Sequence, residues 1–543
     1  MILYYGTLLR KLVPRVSFAN ENTWNSIAQR SGENAFHAKY ETAIDDLMAR
    51  LVEGTEIYPN FIGGKERPTE SHFSLTSPID GTIATGSYPK GTPKDASDAV
   101  TAAEDAFRGW RKTDLSERLR IFRKAAEIAR KEKLDIAALM TLNNGKNRRE
   151  AIGEVDMGID YMEYYASEME RNNGYEGEVK SPTPGEGAKN MMLPYGAWAI
   201  ICPFNFPFGI TLGMTTGVLL TGNTAVLKPA SPAPALVYAM YDILARAGVP
   251  PGALNLVSGS GAEVGEPLAI HPKVNGIIFT GSLEVGQSIL DRTKERRYQI
   301  PVILELGGKN AAIVSDKADL AKAVRGVVSS AFGYSGQKCV ACSRVYVQKA
   351  VYDEFLSMLV SATEEFKVAD PRKRECRTGP VIHSRAVQDY ERAVSMAKRD
   401  GKILTGGSRL IQDGMDKGNY VAPTVVAGLP EWHPMIKNEL FLPILCVQEY
   451  AELKQALEYA NDVVYGLNAG ICSEDKQETD YFLDNIQCGT VFVNGVRGAT
   501  NGAITGVHAF GGWKASGSTG KGSGDIYYLL QFLRQQSRAF PMN

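Results

Sequence analysis

Residues 197–204 read AWAIICPF, 224–229 TAVLKP, 253–259 ALNLVSG and 276–281 GIIFTG. These four runs decide the fold. Each is short, apolar and continuous rather than alternating, as a strand covered on both faces must be. Stretches with helical spacing separate them, at 208–220, 233–247 and 263–271, and another follows at 283–293. Strand–helix alternation of this kind predicts an α/β protein with a doubly wound parallel sheet, which gathers its ligands in the crevice at the carboxyl ends of its strands. VILELGG (302–308) and AAIVSD (311–316) then lead into a second alternating half, from 319 to about 489.

Upstream of that core, YPNFIGGK (58–65) reads as a hairpin turning at Gly63-Gly64. Helical spacing follows over 97–112, with Ser97 as its N-cap, and then over 115–142 and 147–169. Residues 18–52 read as a charged helical leader. The stretch NNGYEGEVKSPTPGEGAKNMMLPYG (172–196) is rich in glycine and proline between strand-like flanks, and predicts a long hairpin outside the core.

The chain has 543 residues, too many for one hydrophobic core, so two or three domains are expected. It is 44% hydrophobic and 22% charged, with a formal net charge of -1. That balance gives no electrostatic footprint for nucleic acid or an anionic membrane. No apolar run is long enough to span a bilayer. Seven cysteines in this length are not a disulfide framework, and a reducing, cytoplasmic location is expected. Residues 1–16 carry Arg10, Lys11 and Arg15 without an acid, but lack a small-residue cleavage site, and read as an extension rather than a signal.

Several polar residues fall where such a protein places function. Lys228 ends TAVLKP, Asn205 follows AWAIICPF, Ser282 opens the helix after GIIFTG, and Glu305 lies within VILELGG. Cys339 sits in GYSGQKCVACSR (333–344). Taken singly each has an ordinary reading: a buried inert thiol, a turn asparagine, a solvated lysine, a strand-end acid. Cys202, Cys342, Cys376, Cys446, Cys472 and Cys488 keep that reading. Cys339 and Cys342 form a lone Cys-x-x-Cys with no second pair, so no metal site is expected. Two glycine-rich stretches mislead. In 259–265 the third glycine falls one residue late for the dinucleotide fingerprint, and 515–522 fails the phosphate-loop pattern at both ends.

Together these positions resemble the aldehyde dehydrogenase family. The matching motifs are PFNFP (203–207), LKPAS (227–231), FTGSLEVG (279–286), LELGGKN (304–310), GQKC (336–339), ELFLP (439–443), YGLNAGI (465–471) and FGGWKASG (510–517). They occur in the family's order and cover about residues 55–540. Five stretches are most similar to its 1-pyrroline-5-carboxylate (L-glutamate γ-semialdehyde) dehydrogenase branch: FANENTW (18–24) with YPNFIGGKE (58–66), TGSLEVG (280–286), SSAFGYSGQKC (329–339), and NGAITGVHAFGG (501–512).

The resemblance implies a set of roles. Cys339 is the nucleophile, Asn205 and the backbone N–H of Cys339 hold the oxyanion, and Glu305 is the base. Lys228 reaches the adenosine ribose of NAD, Gly281 and Ser282 face the pyrophosphate, Gly261 lies by the adenine, and Glu439 and Phe441 hold the nicotinamide ribose. Phe206 and Phe510 flank the substrate's stem, while the backbone at Gly502 and Ala503 binds its carboxylate. Val340 stands where the branch carries a serine, which weakens that end of the site. Ser231 stands where many NAD-specific members carry glutamate, so NADP is expected to be accepted beside NAD.

The implied domains are 1–54 as extension and leader, 55–171 with 197–308 as the nucleotide-binding domain, 309–494 as the catalytic domain, and 172–196 with 495–543 as an oligomerisation arm and tail. In the implied homodimer, or trimer of dimers, that arm pairs with the partner's tail strand at 535–540. The implied reaction is oxidation of L-glutamate γ-semialdehyde to L-glutamate. The alternatives are another acid semialdehyde (2-oxoglutarate or succinate semialdehyde) and an inactive binding protein on the same fold.

Overall fold

The computed structural model describes residues 19–542, apart from 25, 27–32, 55, 496 and 497. Most of the N-terminal extension lies outside the described residues, as does Phe18 of FANENTW. Of the leader, the helix Glu33–Glu53 is described.

Two seven-stranded sheets dominate. In the first, the strands run in the order Val302–Glu305, Val274–Thr280, Ala197–Ile201, Thr224–Lys228, Leu254–Leu256, Asn60–Ile62, Lys65–Arg67. The first five are parallel, and the last two form the antiparallel hairpin expected from YPNFIGGK. Gly63 and Gly64, with φ of 63° and 75°, make its turn. These are left-handed conformations that side chains resist, and the tight two-residue turn requires them. Every residue of Ala197–Ile201 and Thr224–Lys228 is buried, so both faces are covered, as their unbroken apolar runs require.

The second sheet runs Lys402–Thr405, Thr424–Ala427, Ile444–Tyr450, Cys342–Gln348, Asn310–Val314, Asn468–Cys472, Thr490–Val493. Only its first pair is antiparallel.

Four expectations need correction. The helix expected at 97–112 is Pro93–Trp110: Thr92 is the cap, reciprocally bonded with Asp95 and followed by proline. Ser97 instead lies against the His271 ring at 3.2 Å. The helix expected at 115–142 is two, Leu115–Lys131 and Lys133–Asn144, with a break at Glu132, whose carboxylate takes both terminal nitrogens of Arg246. Such a tertiary contact leaves no mark on periodicity. The stretch 263–271 is a wide turn, Gly261–Gly265, running into the short helix Glu266–Ile270.

The fourth concerns the arm. Its hairpin, Glu176–Val179 with Glu186–Pro194, forms as expected, but the tail strand Leu533–Pro541 pairs with it in the same chain. The reason is where the tail starts. Asn223 donates to the carbonyl of Phe532 at 2.8 Å and Trp198 packs on the Phe532 ring, so the chain emerges beside Pro194.

Candidate active site

The thiol site is assembled between the two sheets. Of the seven cysteines, all free, six are buried and Cys339 alone is half-buried. It lies just before the strand Cys342–Gln348, on a loop entered by three successive left-handed residues: Tyr334 (φ 52°), Ser335 (φ 51°) and Gly336 (φ 68°). A Cβ on Gly336 would lie 2.4 Å from the carbonyl of Leu442, so glycine is required for the ELFLP stretch to pack here. Tyr334 and Ser335 hold a costly conformation because neighbours fix it. Ser335 gives its N–H to Thr378 at 2.7 Å and its hydroxyl to the carbonyl of Gly379 at 2.5 Å.

Asn310 clasps the same loop from the next strand. Its Nδ2 donates to the carbonyls of Cys339 (2.7 Å) and Ala341 (2.9 Å). Asn205 reaches the loop from the first sheet, with Nδ2 on the carbonyl of Gln337 at 3.1 Å. An amide nitrogen carries two hydrogens, and this bond uses one. Val340 is buried, and its carbonyl accepts from the hydroxyl of Thr500 at 2.8 Å. Residue 340 therefore lies beside the stretch that carries Gly502 and Ala503.

Burial pushes the Cys339 thiol up to about 12. Glu439 and Glu305 push the same way, against the N–H groups of Cys339 and Val340. Glu305 ends the strand Val302–Glu305. Its Oε2 is buried without a hydrogen-bond partner among the described residues, and burial lifts its carboxyl well above the usual range against one N–H from Gly512. Glu439 is lifted to about 7 by burial, although its Oε1 accepts the N–H of Gly308 at 2.9 Å. A Cβ at Gly307 would lie 2.1 Å from its other oxygen. Two carboxyls and one thiol thus share a poorly solvated space.

Phe206 stacks on a buried cation. The Lys146 ammonium lies 3.8 Å from its ring centroid and 4.6 Å from that of Tyr334, and forms a fully buried ion pair with Glu154. Glu154 in turn accepts the N–H groups of Phe208 and Gly209, which orients the PFNFP turn. Phe510 is held by exchanged backbone bonds with Ser523, whose hydroxyl lies 3.3 Å from that of Tyr161.

The remaining expected residues, Phe441 apart, lie at the carboxyl ends of the first sheet, where Gly281 donates its N–H to the carbonyl of Glu305 at 3.1 Å. Lys228 is buried, its ammonium donating to the carbonyl of Pro229 at 2.9 Å, and burial lowers it to about 8. Its stem lies 3.4 Å from where a Cβ on Gly265 would be. Ser231, Gly261 and Ser282 are exposed, and Gly281 half so. Ser282 caps the helix Leu283–Thr293 by accepting the N–H of Val285 at 3.4 Å. Phe441 has φ 61° and packs edge-on against Phe204.

This donor set fits a dinucleotide. A buried ammonium and a half-buried carboxyl suit two ribose hydroxyl pairs, and a capped helix start suits a pyrophosphate. Sequence reasoning gave no role to Asn310, Asn468, Thr500 or Lys146. The first two lie inside the quoted motifs LELGGKN and YGLNAGI, so the signal was present. Among the described residues, no helix is long and apolar enough to cross a membrane.

The aldehyde dehydrogenase family model matches residues 65–537. The chain is similar to 1-pyrroline-5-carboxylate dehydrogenase of Anoxybacillus flavithermus, 38% identical over 496 residues, which are 90% of this chain and 94% of that one. Among solved structures, a mutant of 1-pyrroline-5-carboxylate dehydrogenase from Thermus thermophilus superposes with a TM-score of 0.90 at 32% identity, covering 97% of this chain and 99% of that chain. The Thermus enzyme with bound NAD gives a TM-score of 0.89 at the same identity and coverage. By sequence and by structure alike, this chain belongs to the aldehyde dehydrogenase family.

Proposed function

We propose that this chain oxidises L-glutamate γ-semialdehyde, the open form of 1-pyrroline-5-carboxylate, to L-glutamate with reduction of NAD. The observation that carries the reading is Cys339, the one half-buried thiol, facing Glu305 and tied through Val340 and Thr500 to the loop 501–503. The similarity to enzymes of that name supports the same substrate.

In this reading the Cys339 thiol first gives its proton through Glu305 to solvent, and the thiolate then attacks the aldehyde carbon, opening the C=O bond to a thiohemiacetal oxyanion. The oxyanion takes hydrogen bonds from the second N–H of Asn205 and the backbone N–H of Cys339, donors worth about 3–4 kcal/mol each at such positions. NAD, when bound, supplies the hydride acceptor. Lys228 and Glu439 would hold its two riboses, with Phe441 beside the second, Gly261 near the adenine, and Gly281 and Ser282 at the pyrophosphate. The thioester left on Cys339 is hydrolysed by water that Glu305 deprotonates. The raised pKa of Glu305 suits a residue that must also be neutral beside a forming anion. Phe206 and Phe510 flank the aliphatic stem, and the backbone at Gly502 and Ala503 takes the carboxylate.

Ser231, exposed and neutral beside the Lys228 strand end, sets no charge against a 2′-phosphate, so NADP serves as well. No metal takes part in this scheme. We place the enzyme in the cytoplasm as a homo-oligomer, a dimer or a trimer of dimers. The long, exposed three-stranded arm supports assembly, although its tail strand pairs within its own chain. The deciding assay follows reduced cofactor with 1-pyrroline-5-carboxylate, succinate semialdehyde and propanal, with NAD and with NADP. A wild-type enzyme that turned over succinate semialdehyde but not 1-pyrroline-5-carboxylate would reject this substrate.

A further inference from the structure

Two asparagines on neighbouring strands join the nucleophile loop to the loop 501–503. Asn310, clasping the carbonyls of Cys339 and Ala341, accepts the backbone N–H of Asn468 at 3.1 Å. Asn468, at the start of the strand Asn468–Cys472, donates its Nδ2 to the carbonyl of Asn501 at 2.6 Å. Both asparagines are buried.

The Asn468 side chain pays for its place unevenly. Its Oδ1 is buried with no hydrogen-bond partner among the described residues. An unmet buried acceptor is destabilising, and a small apolar residue would avoid it. What the amide supplies is the donor to Asn501. A peptide unit is planar and trans, so fixing the carbonyl of Asn501 also fixes the direction of the N–H of Gly502 in the same plane. That N–H belongs to the loop assigned above to the substrate carboxylate. Thr500, next along the chain, is fixed separately by its bonds to Val340 and Ser330.

We infer that Asn468 is a positioning residue for substrate specificity: through Asn501 it orients the loop 501–503 so that the far carboxylate of an acid aldehyde is held while its aldehyde carbon lies on Cys339. The inference rests on the function proposed above, in that it takes this loop as the carboxylate site. It goes further in naming the side chain, remote from substrate, that sets the loop's orientation.

The test is steady-state kinetics of Asn468→Leu and Asn468→Ala with saturating NAD. Leucine keeps the size and removes the donor together with the unmet acceptor. Alanine provides the same loss should leucine fail to fold. Either variant should raise KM for glutamate semialdehyde about tenfold, the order expected for one hydrogen bond, with kcat little changed. Propanal, which has no carboxylate, should keep its kcat/KM, and Tm should not fall for leucine. A purely packing role would move both substrates together or neither, and either result in a folded variant overturns the inference. Were the wild type to prefer succinate semialdehyde, the assigned substrate would fall, and the same split between that acid and propanal would still decide the role of Asn468.

Discussion

The two sheets offer the site opposite ends. The first presents its carboxyl ends: Asn205 follows Ala197–Ile201, Lys228 ends Thr224–Lys228, Gly281 follows Val274–Thr280, and Glu305 ends Val302–Glu305. The second presents its amino ends: Gly308 precedes Asn310–Val314, Cys339 precedes Cys342–Gln348, Glu439 precedes Ile444–Tyr450, and Asn468 opens its strand. A parallel sheet's usual ligand edge is the carboxyl one. The difference teaches that the first sheet supplies its residues directly from strand ends, whereas the second delivers its residues on irregular backbone that side chains must clamp. Asn310, Thr500 and Gln337 are those clamps.

The comparison breaks first at the nucleophile. Cys339→Ala should lower kcat/KM by on the order of 10⁴-fold or more while leaving Tm unchanged, because its thiol is half-buried and does not pack the core. Cys342→Ala, three residues on and fully buried, should do the reverse: lower Tm with kcat near wild type. Equal activity losses would deny the loop its special status.

Glu305 tests the first sheet's contribution. Glu305→Gln should lower kcat by roughly 10²–10⁴-fold. Wild-type kcat should rise with pH as the carboxyl ionises through its raised pKa, and the variant should lack that rise. Stability gives an independent check. A carboxyl whose folded pKa lies above its unfolded value contributes stability that is fully present below the unfolded pKa and is lost as pH rises towards the folded one. The Tm of Glu305→Gln minus that of wild type should therefore widen as pH rises above about 4.3, the value of an unfolded glutamate. A constant difference would place Glu305 in a better-solvated site.

The two sheets meet at Asn205, which follows a strand of one and bonds the loop of the other. Asn205→Ala should cost on the order of 10²–10³ in kcat, with a smaller change in KM. A loss confined to KM would make it a substrate contact rather than an oxyanion donor.

How much was legible in sequence follows from the same contrast. The strands of the first sheet, its hairpin and the residues at its carboxyl ends came from apolar runs and their terminal polar groups, which are local signals. The second sheet's residues came only from the family motifs, because no periodicity marks the start of a strand as a ligand site. Asn310 and Asn468 were quoted yet given no role, since what they clasp lies 29 and 33 residues away in sequence. The cap at Thr92 and the break at Glu132 were missed for a related reason: the cap was read five residues late, at Ser97, and Glu132 pairs with Arg246 on a distant helix.

Ser231 sharpens the first sheet's part. Ser231→Glu sets a carboxylate beside the adenosine end and should reduce NADP relative to NAD by about tenfold at low salt, and less as salt screens the exposed charge. Wild-type enzyme without any NADP turnover would refute the reading of this position.

The smallest effect expected lies at Val340, where the second sheet's loop meets the carboxylate end. Its carbonyl is already taken by Thr500, so only its side chain is open to change. Val340→Ser adds a hydroxyl at this buried position beside Thr500. An added hydrogen bond nets about 0.5–1.5 kcal/mol, so KM for glutamate semialdehyde should fall roughly three- to tenfold. Propanal should change little. The substitution also removes apolar atoms from a buried position, so Tm should drop slightly even as affinity improves. Those opposite signs are what make the variant informative: a general loosening of the loop would worsen both substrates and lower Tm, whereas a new donor improves one substrate despite the lower Tm. Improvement of both substrates equally, or of neither, would show that the carboxylate is bound elsewhere than beside residue 340.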